Sequence, residues 1–96
     1  MSPKNKKKLH ILRGKLDKLD NKLIDIIKIR TNLVNEVVKL KEYKNEIVDK
    51  KRIDEISKKI VKKSIELGGN SKLLKSIWLS IIQNFIDYEN KEFKKK

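Results

Sequence analysis

Arg30 is the residue of this chain whose type and position most clearly point to chemistry, because it interrupts an apolar row. From Leu9 to Leu40 apolar residues recur at spacings of three and four, which is typical of one helix face, and Arg30 takes the place of one member. Lys41 follows 11 residues later, so both cationic side chains leave the same face, about 16 Å apart along the axis. Two long cations at that spacing can clamp a small anion. The alternative for Arg30 is a side chain that packs its methylenes on the core and extends its charge into water.

Arg13 is a second candidate, but it cannot join that clamp from the same chain. It lies 17 residues before Arg30, which is about 25 Å along a helix and about 100° around it. In an antiparallel pair of chains, the start of one long helix passes the middle of the other, and Arg13 of one subunit meets Arg30 of its partner. Without such pairing, Arg13 is an exposed residue in the first turns of a basic helix.

Asp49 and Arg52 form a third feature, because Asp favours the N-cap of a helix and Arg follows three positions later. Plain capping with local charge pairing explains this spacing, and a polar contribution to a binding site is the alternative. Glu89 is the fourth feature, since it continues an apolar helix row that includes Trp78 and Phe85, at i, i+7 and i+11. Either this carboxyl is part of a binding or catalytic site, or it lies beyond the core, near a fraying helix end.

Three predicted helices position these side chains. Glycine occurs only at positions 14, 68 and 69 and proline only at position 3, so the interior has one strong helix break, Gly68-Gly69. The first helix is predicted over Leu9–Lys41, the second from the N-cap Asp49 to that break, and the third from Asn70 or Ser71. Since no strand pattern occurs, the fold class is all-α with three helices per chain.

The length of the first helix predicts an assembly. Its 33 residues span about 50 Å, whereas a compact chain of 96 residues has a radius of gyration of only about 12–13 Å. An apolar face of that length in water would aggregate. We therefore expect an intertwined homodimer in which the long helices of two chains pack together.

Composition restricts the class of protein. Lys and Arg total 26 against 13 acidic residues, a formal charge of +13, and 41% of residues are charged while 38% are hydrophobic, which excludes a disordered tail and a membrane protein. Only three cations are arginines, and abundant Lys, Ile and Asn without Ala is typical of A/T-biased codons. Much of the charge is therefore expected to be a solvated surface, with nucleic-acid binding as the alternative. With no cysteine and a single histidine, His10, neither a disulfide nor a metal site is expected.

The chain is predicted to form one domain over residues 1–96, with basic ends at 1–8 and 94–96 that fray. No apolar run approaches the ~20 residues that span a bilayer, and the segment 1–8 lacks the apolar stretch of a secretory signal. We expect a cytoplasmic protein without membrane contact and without room for a regulatory domain.

From about Leu9 to Glu89 the chain resembles the all-helical chorismate mutases, the type II or AroQ class. Five stretches carry the resemblance, in the order and nearly the spacing of the family. They are LRGKLDKLD (12–20), like LR-x-x-I-D-x-L-D; LIDIIKIR (23–30), like L-L-x-L-L-x-x-R; VVKLK (37–41), like V-x-x-x-K; DKKR (49–52), like D-x-x-R; and WLSII (78–82), like F-x-x-I-I. The resemblance implies a dimer of three-helix subunits with interlocked long helices and two active sites, each with one arginine from the partner.

The resemblance also implies roles for residues of this chain in rearranging chorismate to prephenate, for aromatic amino-acid biosynthesis. Arg30 and Arg13 from the partner would bind the two carboxylates of chorismate. Lys41 would donate to the ether oxygen and a carboxylate, and Asp49 and Arg52 would lie on the hydroxyl-bearing side. The reaction is a unimolecular pericyclic step, so it needs no cofactor, metal or nucleophile.

Three substrate-binding positions depart from the family pattern. Ile53 occupies a place where many members have Glu for the substrate hydroxyl, and Phe85 replaces a small polar residue. Glu89 occupies the place of a catalytic Gln, as in some eukaryotic members, and must be protonated to donate to the ether oxygen. The expected activity is therefore either low or favoured by acid pH. Ile53 and Phe85 also resemble the isochorismate-pyruvate lyases of the same fold, whereas Asp49 favours the mutase.

Overall fold

The computed structural model describes residues 1–94, and all regular structure in that range is helical. Three α-helices follow in chain order, α1 over Pro3–Leu40, α2 over Lys50–Glu66 and α3 over Ser71–Glu92, with a short 3₁₀ helix at Lys44–Glu46. The absence of strands within residues 1–94 confirms the all-α prediction with its long first helix. None of the helices in this range has both the length and the apolar character that a bilayer crossing requires.

Helix α1 begins at Pro3, so it includes residues 3–8 of the basic end that was expected to fray. The local sequence explains the earlier start. Ser2 acts as N-cap, since its Oγ accepts from the backbone N–H of Asn5 at 3.1 Å and its carbonyl accepts from the N–H of Lys6 at 2.9 Å. Proline suits the first helical position, where its fixed φ is favourable and its missing N–H costs nothing. At the other end, Lys94 follows α3, and residues 95 and 96 lie outside the described part of the chain.

The contacts of the chain divide it into two units, Met1–Leu33 and Val34–Lys96. The first unit consists mainly of the greater part of α1, and the second contains the last turns of α1, the connection to α2, and helices α2 and α3. Within residues 1–94, the buried apolar side chains all lie in the second unit.

In the first unit, the apolar row of α1 is accessible to solvent. Leu12, Leu16, Leu19 and Leu23 are between 53% and 55% exposed in the single chain. These leucines therefore add nothing to the core of their own chain, although their spacing is that of a core-facing stripe.

In the second unit, α2 packs against α3 and the core is small. Val38 from α1, Ile47 from the connecting segment and Ile82 from α3 are the buried apolar residues of the described chain. Ile47 belongs to no helical row, so periodicity alone could not assign it to the core.

The turn between α2 and α3 confirms the predicted helix break. Gly68 has a φ of +70°, and the N–H groups of Gly68 and Gly69 donate to the carbonyls of Ile65 (3.0 Å) and Ser64 (2.8 Å). This is the Schellman pattern, which needs a left-handed residue directly after the helix. Asn70 then caps α3, because its Oδ1 accepts from the N–H of Leu73 at 3.0 Å.

Candidate active site

Lys41 and Glu89 form an ion pair in the second unit. Nζ of Lys41 donates to Oε1 of Glu89 at 3.2 Å, across 48 residues of sequence. The side chains are 17% and 10% exposed, so water screens their charges less than at the surface. Lys41 directly follows α1, where its backbone N–H donates to the carbonyl of Val38 at 3.1 Å, and Glu89 lies in the last turns of α3. The pair therefore joins the end of the first helix to the end of the third.

Glu89 lies on the packed side of α3, in the last turn of the helix. The residue is 8% exposed, and the helix continues to Glu92, with the N–H of Phe93 donating to the Glu89 carbonyl at 2.8 Å. Glu89 is therefore buried and does not lie beyond the core, although it is close to the end of α3. Its carboxylate can accept hydrogen bonds when ionised and can donate one only when protonated.

Two polar residues beside this pair were missed by the sequence interpretation. Oη of Tyr88 donates to Oδ1 of Asn35 at 2.7 Å, across 53 residues of sequence, and both residues are partly buried. The Tyr88 ring also meets Phe85 edge to face, with centroids 6.4 Å apart and an interplanar angle of 82°. Tyr88 follows Ile81 and Phe85 at i, i+4 and i+7, so helical spacing could have placed it on the apolar face of α3. No sequence signal pointed to Asn35.

Asp49 and Arg52 make the local interactions expected of a plain helix start. Oδ1 of Asp49 accepts from the backbone N–H of Arg52 at 3.0 Å and caps α2. Nη1 of Arg52 lies 3.7 Å from Oε2 of Glu55, in an ion pair whose side chains are 57% and 49% exposed. The capping explanation accounts for both contacts, and Ile53 on the next position of α2 is partly buried.

Arg13 and Arg30 lie on α1 in the first unit and are described there by themselves. Arg13 is exposed, whereas Arg30 is partly buried and its Nη1 is shielded from solvent. The structure therefore separates the two arginines by environment, as their different positions around the helix suggest.

The candidate residues thus fall into three groups. Lys41 and Glu89 bond directly to each other, with Phe85 one turn before Glu89 on α3. Asp49, Arg52 and Ile53 share the first turn of α2 or its cap, and the remaining two candidates are the α1 arginines.

Comparison with known protein families identifies the family of the chain that carries these residues. Residues 12–90 match the family model for chorismate mutase type II. This chain belongs to the chorismate mutase type II family. The resemblance predicted from the five sequence stretches is therefore confirmed. No curated protein and no solved structure gives a significant match.

The chorismate mutase match contains every candidate residue, from Arg13 to Glu89. The match begins after the lysine-rich start of α1, and residues 1–11 lie outside it. Membership supports chorismate mutase activity in general and agrees with the all-α fold of the described chain.

Proposed function

We propose that this protein is a cofactor-independent chorismate mutase that converts chorismate to prephenate in the biosynthesis of phenylalanine and tyrosine. The family match over residues 12–90, which includes all eight candidate residues, is the observation that carries this proposal. The shielded Lys41–Glu89 pair agrees with it, because two charged groups held away from water are unusual outside a site or a structural network.

The proposed reaction makes few chemical demands on the protein. Chorismate breaks its ether C–O bond and forms a C–C bond within the same molecule, so no atom enters or leaves. The barrier falls when the dianion is held in a folded conformer and when the negative charge that develops on the ether oxygen is stabilised. Bidentate arginines suit the carboxylates, and a compact lysine ammonium suits the oxygen.

The proposed roles follow the family positions. Arg30 and the partner subunit's Arg13 bind the two carboxylates, and Lys41 donates to the ether oxygen. Asp49 and Arg52 lie towards the substrate hydroxyl. The cap of α2 occupies Oδ1 of Asp49 through the Arg52 N–H, and a carboxylate has a second oxygen that can accept from a hydroxyl.

Glu89 competes with a substrate at the proposed site. In the chain alone its carboxylate accepts from Lys41, so the pair satisfies both charges before a substrate binds. A dianionic substrate needs the same ammonium, and an ionised carboxylate only accepts hydrogen bonds, so it adds no donor to the ether oxygen. A neutral amide at position 89 would supply that donor.

We further propose that the active form is a homodimer. The α1 leucines between Leu12 and Leu23 are each more than half exposed in one chain, and their helical row has the spacing of a packing stripe. A second copy of α1 would remove this apolar surface from water at about 25 cal/mol per Å². The same pairing would bring the partner's Arg13 to a site that needs a second arginine.

A second candidate activity, isochorismate-pyruvate lyase, has one observation in its favour. Ile53 and Phe85 are both partly buried, and Phe85 packs against Tyr88, so two apolar groups occupy positions where many mutases are polar. Asp49 at the cap of α2 retains a hydroxyl acceptor and favours the mutase.

Product analysis with chorismate and isochorismate, side by side, tests the proposal. Purified protein is incubated with each substrate at about pH 5 and about pH 7.5. Prephenate from chorismate supports the mutase, and pyruvate from isochorismate alone establishes the lyase. No product at either pH would overturn both, and a salt-sensitive shift of duplex DNA would then favour nucleic-acid binding.

A further inference from the structure

The hydrogen bond between Tyr88 and Asn35 lies beside the Lys41–Glu89 pair and has no role in the activity proposed above. Tyr88 directly precedes Glu89 on α3, and Asn35 lies on α1 six residues before Lys41. Both contacts therefore connect the same two segments, the end of α1 and the end of α3. The O···O distance of 2.7 Å is that of a well-formed hydroxyl hydrogen bond.

Two contacts at separate points fix an orientation that one contact leaves free. Asn35 and Lys41 are about 9 Å apart along the α1 direction, and Tyr88 and Glu89 leave α3 about 100° apart. The Lys41–Glu89 contact alone allows α3 to rotate or slide, because a lysine ammonium on a flexible stem follows its partner. The added Tyr88–Asn35 contact opposes that movement.

Tyr88 is suited to this task because its side chain is rigid. A tyrosine has two side-chain torsions, and Phe85 contacts the ring edge to face at 6.4 Å. The hydroxyl is thereby held at a fixed reach from α3. Its partner Asn35 is short and partly buried, which leaves few alternative geometries for the bond.

We propose that Tyr88 and Asn35 are positioning residues that hold Glu89 in register with Lys41 for the transition state. This inference rests on the proposed mutase function, because it assigns the pair a part in that reaction. Neither residue touches the reacting atoms; they act through the direction in which α3 presents Glu89 and Phe85.

Tyr88→Phe is the sharpest variant, because it removes only the hydroxyl. We expect kcat to fall about tenfold, within the ~10²-fold that a 1 Å misplacement can cost, while KM stays within about twofold. Tyr43→Phe is the matched control, since Tyr43 lies in the segment after α1 with 66% of its surface exposed, and it should leave both constants unchanged. A purely structural role would lower the melting temperature of Tyr88→Phe without changing kcat.

Substitutions of Asn35 separate the hydrogen bond from packing. Asn35→Asp keeps an acceptor oxygen at the same place and should retain kcat within about threefold, whereas Asn35→Leu keeps bulk without an acceptor and should match the tenfold loss of Tyr88→Phe. Equal losses in both Asn35 variants, or an unchanged kcat in Tyr88→Phe, would overturn the proposal.

Carbon NMR of the Glu89 side-chain carboxyl gives a readout that does not depend on turnover. Its resonance should move in Tyr88→Phe and in Asn35→Leu, and should stay at the wild-type position in Tyr43→Phe. Wild-type protein without mutase activity would refute the proposed function, and the inference would be refuted with it. An active wild type whose Glu89 resonance is the same in all variants would refute the positioning role alone.

Discussion

At the residue scale, Lys41 is the group on which the proposed chemistry depends most. Its ammonium is largely shielded and already bonded to a carboxylate at 3.2 Å, so a substrate oxygen would take over an existing charge-assisted contact. Preorganised donors of this kind stabilise developing charge without reorganisation at the moment of reaction. The cost is that Glu89 competes with the substrate for the same ammonium.

Lys41→Ala should lower mutase kcat by roughly 10²–10³-fold, the loss that follows removal of one donor to a developing oxyanion. Lys39→Ala is the matched control, because Lys39 pairs with Glu36 at the surface, with side chains 69% and 70% exposed. Steady-state kinetics with circular dichroism checks both variants. Equal activity in the two, with helicity intact, would remove Lys41 from the mechanism.

Lys41→Ala should also destabilise the protein, because it leaves the shielded carboxylate of Glu89 without its partner. Breaking one side of such a pair costs up to roughly 3–5 kcal/mol, and the remaining exposure of both groups reduces that figure. Adding Glu89→Gln should restore most of the lost melting temperature without restoring turnover. Recovery of turnover in the double variant would mean that Lys41 serves only to neutralise Glu89.

Glu89→Gln alone should raise kcat at neutral pH. An ionised carboxylate only accepts hydrogen bonds, whereas an amide also donates, so the variant adds a donor that can reach the ether oxygen. Glu92→Gln, at an exposed position one turn later on α3, should keep the wild-type kcat. Steady-state kinetics compares the two variants, and equal kcat values for both would remove Glu89 from the mechanism.

At the element scale, two glycines are expected to affect stability in opposite directions. Gly68 lies in the turn between α2 and α3, and Gly14 lies inside α1. Gly68→Ala should lower stability by about 1 kcal/mol, because alanine is strained at a φ of +70°. Gly14→Ala should raise it by about 0.5–1 kcal/mol, since Gly14 lies within α1 and a Cβ there meets nothing within 4 Å. Thermal melts compare the same chemical change at both sites. A lower melting temperature for Gly14→Ala would instead indicate a close neighbour from a second chain.

The element scale also shows which features were readable from the sequence. Asp49, Gly68 and Asn70 were predicted correctly as helix ends, because a cap depends on bonds to residues within a turn or two. The start of α1 was predicted too late, since a run of lysines suggested fraying and outweighed the Ser2 and Pro3 signals. In each case the deciding interactions are local.

The candidate site was only partly readable, because its contacts cross long stretches of chain. Glu89 was found from its place in an apolar row, and the resemblance supplied the role of Lys41, but their direct bond spans 48 residues. The Tyr88–Asn35 hydrogen bond spans 53 residues. Tyr88 belongs to the apolar row of α3, whereas no sequence pattern pointed to Asn35. Periodicity shows which face a side chain occupies; it does not show which residue faces it from another helix.

At the scale of the whole molecule, the exposed leucine row of α1 is the feature that a single chain leaves unexplained. We predict that sedimentation velocity gives the mass of two 11.4 kDa chains. Leu16→Lys combined with Leu23→Lys should shift the protein to monomer and abolish turnover, because both leucines are more than half exposed in one chain and belong to the predicted interface. Wild-type activity in a monomeric variant would rule out sites built from two chains.

Complementation between inactive variants tests whether the arginines of two chains share one site. Arg13→Ala subunits lack the arginine given to the partner, and Arg30→Ala subunits lack the arginine kept in their own site, so each homodimer should be inactive. In a mixed dimer, the site that contains the intact Arg30 receives the intact Arg13, while the other site loses both. Random exchange of equal amounts should therefore restore about a quarter of wild-type activity. If the rates stay at the level of the separate variants after mass spectrometry has verified the exchange, the active site is not shared between chains.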